Sequence, residues 1–165
     1  MSLAAFAHDL VDRYAPDVEV PPPAVLDQVR RNAQLRASVL QEFGAVTAEE
    51  LAELVGSRAV RRRTMVDNWV RADRVVAVGW RGQTLVPGFQ LLPDGSPDPV
   101  LQPVLALLRQ QGAQPWERAL WWALPAPRLA GARPVDVLLM SRSSTDREEA
   151  KEALVVAAQR PRDWF

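Results

Sequence analysis

The chain contains no cysteine and only one histidine, His8. Without cysteine it can form neither disulfides nor thiolate metal sites, and a lone histidine supplies neither a zinc ligand set nor the usual general base. No apolar run reaches the roughly 20 residues that a membrane-spanning helix needs. His8, Asp9 and Asp12 also interrupt the N-terminal segment where a secretory signal would require an unbroken apolar stretch. We therefore expect a cytoplasmic protein with no cofactor, no metal and no membrane partner.

Catalytic groups are not arranged in any recognisable motif. Helix capping and ion pairs with Arg147 and Lys151 account for the acidic residues between Asp146 and Glu152. The serines of this region have no histidine near them, and the chain has no glycine-rich phosphate-binding motif. The sequence therefore favours a protein that is not an enzyme.

Positive charge is concentrated in one segment of a chain whose net charge is zero. Residues 57–81 carry seven arginines against two aspartates, whereas residues 1–56 carry nine acidic and four basic side chains. A basic segment in a neutral protein is typical of nucleic-acid binding, although a solvated surface helix would show the same charge. The arginines are Arg58, Arg61, Arg62, Arg63, Arg71, Arg74 and Arg81.

The pattern around this basic segment predicts a helix-turn-helix. Thr47 is followed three residues later by Glu50, which is the spacing of a capping box, and the short helix that follows should end at Gly56. A second, basic helix is expected from residue 58 to about residue 72. Two short β-rich runs, 75–80 and 84–86, predict a small hairpin beside these helices, in the position of a wing.

The fold class that we expect is mainly α. Residues 1–44 should form N-terminal helices, over 3–14 and 25–43, that serve as a dimerisation or covering element. Residues 45–95 should form a helix-turn-helix DNA-binding domain with its hairpin, and residues 96–165 a helical bundle. Four helices are predicted in the bundle, beginning at Asp98, Pro115, Pro134 and a capping box from Thr145 to Glu148.

A helix-turn-helix would insert the N-terminal end of the basic helix into the major groove of DNA. Arginine there can donate two hydrogen bonds to guanine, and asparagine can pair with adenine. Asp67 and Asp73 would repel phosphate, so only part of the helix could face DNA. The predicted base-contacting residues are Arg58, Arg61, Arg62, Arg63 and Asn68, and the predicted phosphate-contacting residues are Arg71, Arg74 and Arg81.

Three of the six tryptophans lie close together in the second half of the chain. Trp116, Trp121 and Trp122 cannot all face inward on one helix, because adjacent positions are about 100° apart. We expect at least one at a surface or interface, where tryptophan is a frequent binding hot spot; the alternative is a small core built around all three. Trp164 and Phe165 at the C-terminus would expose apolar area unless they dock on another surface.

From about Val46 onward the chain resembles antitoxins that carry an Xre/MbcA/ParS-like toxin-binding domain and are encoded beside RES-domain toxins. The resemblance lies in the order and spacing of several short blocks. Ala130 and Gly131 stand where the family has a glycine pair. The segment of residues 56–69 is longer than the turn and recognition helix of the simplest members. The matching blocks are residues 54–57, 74–78, 87–90, 115–122, 129–138 and 157–158.

This resemblance implies a helix-turn-helix half followed by a helical toxin-binding half. It also implies a homodimer that binds operator DNA, represses its own operon and neutralises a cognate RES toxin that consumes NAD. The C-terminal region would cover the toxin's active-site entrance, with the tail helping to plug or flank the cleft. The toxin-binding residues that the resemblance implies are Trp122, Leu129, Gly131, Arg133, Pro134, Trp164 and Phe165.

Two other functions fit the same sequence. The first is a stand-alone helix-turn-helix transcription regulator whose C-terminal domain dimerises or senses a ligand. The second is a protein-interaction module that no longer binds DNA.

Overall fold

A computed structural model describes residues 21–56 and 62–159 of the chain, with only the backbone described for Arg62 and Arg63. Contacts divide the chain into two units, Met1–Leu35 and Arg36–Phe165. The described residues form a mainly helical fold with one small antiparallel sheet, as the sequence predicts. The predicted helix over 3–14 lies outside the described residues.

The elements follow one another along the chain in this order. The helices are α1 (Pro23–Phe43), α2 (Ala48–Leu54), α3 (Arg62–Arg71), α4 (Leu101–Gln110), α5 (Pro115–Ala123), α6 (Pro134–Met140) and α7 (Ser144–Ala158). The strands are β1 (Ala45–Thr47), β2 (Val78–Trp80) and β3 (Gln83–Pro87), and the 3-10 turns are Gly88–Gln90 and Pro127–Leu129. None of the described helices is both long and apolar enough to cross a membrane.

Helix α1 begins at Pro23, a residue that suits the first turn of a helix because its missing amide has no partner there in any case. Near its C-terminal end, Val39 is only 2% exposed. The Phe43 ring meets the Phe89 ring edge-on, with 5.4 Å between their centroids. The chain passes so close at Gly88 that a Cβ there would collide with the carbonyl oxygen of Phe43. Only glycine therefore fits at this crossing.

The predicted capping box is confirmed at the start of α2. The Glu50 amide donates to Thr47 Oγ1 at 3.2 Å, and the Thr47 amide donates to Glu50 Oε2 at 2.7 Å. These bonds satisfy two of the backbone donors at this end of the helix. Leu51, which is completely buried, then joins Val66 and Val86 in a small core under α2, α3 and the sheet.

Strand β3 is the central strand of the sheet, in the order β1-β3-β2. Strands β2 and β3 form the predicted hairpin, in which Trp80 pairs with Gln83 across the two-residue turn of Arg81 and Gly82. Both turn residues have positive φ, 48° and 78°, as in the type I′ turn whose twist matches a hairpin. Strand β1 pairs with the other edge of β3 and was not predicted, because three residues carry too little pattern to indicate a strand.

The first hairpin strand is shorter than predicted, and buried Gln90 gives the reason. Its Oε1 accepts a hydrogen bond from the Val76 amide at 2.7 Å, and its Nε2 donates to the Val76 carbonyl at 2.9 Å. A side chain therefore takes the place of a neighbouring strand at Val76. Because Gln90 is completely buried, these bonds also satisfy a polar group that has no access to water.

Helices α4 to α7 surround the larger core of the protein. Trp122 of α5 is completely buried there, among Leu105 and Leu108 of α4 and Leu154 of α7. The burial of α4 was expected from its apolar circumference. Pro115 lies at the start of α5, also as predicted.

Two predicted helix starts in this half are wrong. Helix α4 begins at Leu101 rather than beside Asp98, whose buried carboxylate accepts from the Val100 amide at 3.0 Å and pairs with Arg147. The last helix is capped by Ser143 with Asp146 as its reciprocal partner, two residues before the predicted box at Thr145. The two overlapping pairs have the same spacing, so the sequence pattern alone does not distinguish them.

Candidate nucleic-acid interface

Helix α3 has one buried face and one exposed face. Val66 is 3% exposed, and Met65, Trp69 and Val70 pack around it in the small core. The exposed residues recur at the spacing i, i+3, i+4 and i+7, which is one side of a helix. They are Thr64, Asp67, Asn68 and Arg71, here called the polar stripe.

Three of the predicted DNA-binding arginines are described in full. Arg71, Arg74 and Arg81 are all exposed, and no carboxylate of the described residues pairs with any of them. Their guanidinium groups are therefore available to an external anion. Of the other predicted residues, Arg62 and Arg63 form the first turn of α3, Asn68 belongs to the polar stripe, and Arg58 and Arg61 lie outside the described residues.

Two of these arginines lie over tryptophan rings. The Arg74 guanidinium carbon is 5.5 Å from the centroid of Trp69, and that of Arg81 is 5.7 Å from the centroid of Trp80. A cation–π contact of this kind orients the charged group and leaves its hydrogen-bond donors free. Arginines held in this way suit contacts with phosphate.

The hairpin is anchored to helix α5 through Trp116. Its indole Nε1 donates to the Gly79 carbonyl at 3.0 Å, and its ring meets Trp80 edge-on at 5.9 Å. The Arg36 guanidinium carbon lies over the Trp116 ring, 5.3 Å from its centroid. Trp116 is thus the partly exposed member of the three neighbouring tryptophans, and it contacts the hairpin of its own chain.

The C-terminal end of α3 closes at Asp73. This residue adopts the left-handed conformation, with φ 53°, and the Arg74 amide donates to the Trp69 carbonyl at 2.8 Å. Together with the bond from the Asp73 amide to the Val70 carbonyl at 3.2 Å, this is a Schellman motif. Aspartate tolerates the left-handed region better than most residues.

Side chains of α4 and α5 hold this end of α3. The Asp73 carboxylate is buried and lies 2.7 Å from Arg109 and 3.5 Å from Arg118, which is also buried. Burial lowers the pKa of Arg118, and the charge of Asp73 opposes that shift. Gln102 and Arg109 also donate to the last carbonyls of the helix, those of Ala72 at 3.0 Å and Arg71 at 3.3 Å.

This arrangement changes the role of Asp73. The sequence predicted a carboxylate that repels phosphate, but Asp73 is 4% exposed and neutralised by two arginines. It is a structural residue at a helix end. The sequence did not predict this structural role, because Arg109 and Arg118 are far from Asp73 along the chain. The only local signal was an aspartate at the end of a helix.

A cleft of about 430 Å³ separates the start of α2, helix α3 and the hairpin turn. Glu49 and Asp67 line it from the helices, and residues 82–84 line it from the hairpin. Two carboxylates make this cleft unsuitable for a phosphate. Among residues 21–56 and 62–159, no three histidine or acidic side chains come together as a metal site.

The predicted toxin-binding residues differ widely in accessibility. Trp122 is completely buried and Pro134 is buried, so neither side chain can touch a partner in this structure. Leu129 packs partly buried against the larger core, whereas Gly131 is exposed in a turn. Trp164 and Phe165 lie outside the described residues.

Arg133, another predicted toxin-binding residue, joins α6 to α1. Its guanidinium lies 2.8 Å from Glu42, 2.8 Å from Asp136 and 5.8 Å from the centroid of Phe43. Hydrogen bonds to Asp136 and Glu42 raise the pKa of Arg133, and the bond from Arg133 lowers the pKa of Asp136. Arg133 is therefore already engaged within its own chain.

Comparison with known proteins gives one likeness of fold. The chain matches no family model and no curated protein sequence. It is similar to a solved structure described as the NMR structure of Rv2175c, with a TM-score of 0.52 and 26% sequence identity. The match covers 68% of this chain and 80% of that one. This arrangement of helices around a small sheet therefore recurs in another protein.

Proposed function

We propose that the chain is a DNA-binding regulator that docks through a winged helix-turn-helix formed by α1 to β3. The proposal is supported by the order α1-β1-α2-α3-β2-β3 with β3 in the middle of the sheet, because a winged helix has the same order. In such a domain α3 would be the recognition helix and the turn at Arg81 and Gly82 the wing.

The observation that carries this proposal is the state of the arginines beside α3. Arg74 and Arg81 are exposed, rest on tryptophan rings and pair with no described carboxylate. Of the two acids in the basic segment, Asp73 is buried against arginines of the C-terminal half. The surface near α3 is therefore more positive than the sequence count of the segment indicates, which favours a polyanionic partner.

Replacement of Arg74 or Arg81 by glutamine should weaken DNA binding and reduce its salt dependence. Each lost phosphate contact should make the negative slope of log Kobs against log salt shallower by about 0.9 for duplex DNA. Fluorescence anisotropy with a random-sequence duplex, over about 50 to 200 mM salt, measures both quantities. Arg142→Gln removes the same charge from an exposed residue between α6 and α7 and serves as the matched control.

We expect Arg142→Gln to leave the slope unchanged. A wild-type protein that binds no duplex at low salt would contradict the proposal. So would an equal loss of affinity in all three variants, because it would show that only net charge matters.

Neutralisation of a toxin is a second proposal, for the C-terminal half. It is supported by exposed apolar side chains at the end of α6, where Leu139 is 58% and Met140 is 77% exposed. Exposed apolar residues of this size are typical of protein contacts. The occluded Trp122 and Pro134 would act only by shaping this half of the molecule.

Co-expression with the product of the adjacent reading frame tests this second proposal. We expect the two proteins to co-purify, with Met140→Glu weakening the complex and Arg142→Glu leaving it intact. We also expect a chain that ends at Arg160 to neutralise the toxin less well than the full chain. Equal neutralisation by both chains would exclude the tail as a plug, and failure to co-purify would exclude the partner.

A further inference from the structure

We infer, on the basis of the proposed DNA-binding function, that the polar stripe of α3 reads base edges and that Asp67 selects cytosine. The stripe consists of Thr64, Asp67, Asn68 and Arg71, all exposed on the helix face opposite the small core. This inference concerns which residues choose the sequence, whereas Arg74 and Arg81 would supply affinity for any sequence.

The side chains of the stripe have no partner in the part of the chain that the structure describes. None of the side-chain groups of Asp67, Asn68 and Thr64 bonds to another described residue. The side chain of Arg71 likewise pairs with no described residue, although its backbone carbonyl accepts from Arg109. Toward the described residues, therefore, these exposed polar groups keep their donors and acceptors unused.

The chemistry of the stripe fits base edges better than it fits phosphates. One acidic and one basic side chain give it no net charge, whereas a phosphate-binding face requires an excess of cations. Its groups match the major-groove edges of bases: arginine pairs with guanine O6 and N7, asparagine with adenine N6 and N7, and aspartate accepts from cytosine N4. The stripe therefore offers acceptors and donors in one row.

Asp67 is the most discriminating of these residues. A carboxylate can only accept hydrogen bonds, and in the major groove the cytosine N4 amine presents a donor with no neighbouring acceptor on its own base. Glu49 lies with Asp67 along the cleft beside α3, so DNA phosphates placed there would meet two carboxylates. Asp67 should therefore favour DNA with a cytosine at the position that faces it, and disfavour DNA with another base at that position.

Selection of binding sites from a random duplex library tests this inference. Wild-type protein should enrich a short motif with a cytosine at one position. Asp67→Asn should change that preference from cytosine to adenine, because the asparagine amide can donate to adenine N7 while its oxygen accepts from adenine N6. In the wild-type protein we expect the affinities for cytosine and for the other bases at this position to differ roughly 5- to 100-fold. Asp67→Ala should remove most of this difference.

Glu149→Gln is the matched control, because it removes one negative charge from an exposed position on α7. It should leave the motif unchanged. The thermal unfolding midpoint of every variant should also stay close to that of the wild type, so that a changed motif cannot result from a changed fold. A motif that Asp67→Asn and Asp67→Ala leave unchanged would overturn the role of Asp67. Salt-dependent binding without any enriched motif would overturn base reading by the stripe and retain the proposed function, whereas an absence of binding to any duplex would overturn the proposed function itself.

Discussion

Replacement of Asp73 by alanine should lower the free energy of unfolding by about 3–5 kcal/mol. Asp73 is 4% exposed and Arg118 is 6% exposed, so the substitution leaves a buried guanidinium without its carboxylate. Alanine also suits the left-handed conformation less well than aspartate, which adds a smaller loss. Urea denaturation followed by tryptophan fluorescence measures the change.

Two further variants separate charge from backbone. Asp73→Asn keeps a residue that tolerates φ 53° and removes only the charge, so we expect most of the loss to persist. The double variant Asp73→Asn with Arg118→Met removes both buried charges and should recover a large part of it. A loss below about 1 kcal/mol for Asp73→Ala would mean that the pair is effectively solvated and contributes as little as a surface ion pair.

Replacement of Trp122 by alanine should cost about 3–5 kcal/mol of stability, because it creates a large cavity in the larger core. Trp122 is 0% exposed, and its ring contacts Trp121 edge-on at 5.1 Å and Phe89 at 6.0 Å. Urea denaturation of the variant checks this value. Trp122→Phe should lose less, because it keeps an aromatic ring and because the indole Nε1 has no hydrogen-bond partner among the described residues.

The same variant tests the expectation that Trp122 binds a toxin directly. Met140→Ala, at a side chain that is 77% exposed, should leave stability nearly unchanged and is the control for the stability measurement only. If Trp122→Ala left stability unchanged and abolished partner binding, the side chain would have to face a partner, contrary to its burial in the larger core.

Local patterns in the sequence predicted much of the segment from Thr47 to Pro87. The capping box at Thr47 and the hairpin turn at Arg81 and Gly82 depend on neighbouring residues, so their signals are complete within a few positions. The exposed arginines after α3 were also expected from the concentration of charge. Neither the recognition role of α3 nor contact with DNA is established by these agreements, and both stay predictions.

Features that depend on distant residues were missed. Strand β1 exists through its pairing with β3, about forty residues later in the chain. The shortened β2 results from the Gln90 side chain, which takes the place of a strand at Val76. Trp122 is likewise buried by residues of α4, which precedes α5 in the chain, and of α6 and α7, which follow it. A pattern read locally has no access to such contacts.

The contacts of Gln102, Arg109 and Arg118 with the C-terminal end of α3 limit where the chain can be divided. If the chain were divided at the predicted boundary between residues 95 and 96, the carbonyls of Arg71 and Ala72 would lose their side-chain hydrogen bonds. The Asp73 carboxylate would lose both of its arginine partners. It would also remove Trp116 from Trp80 and Gly79 at the base of the hairpin. We therefore expect neither half to keep its structure alone, because residues of α4 and α5 fix the C-terminal end of α3.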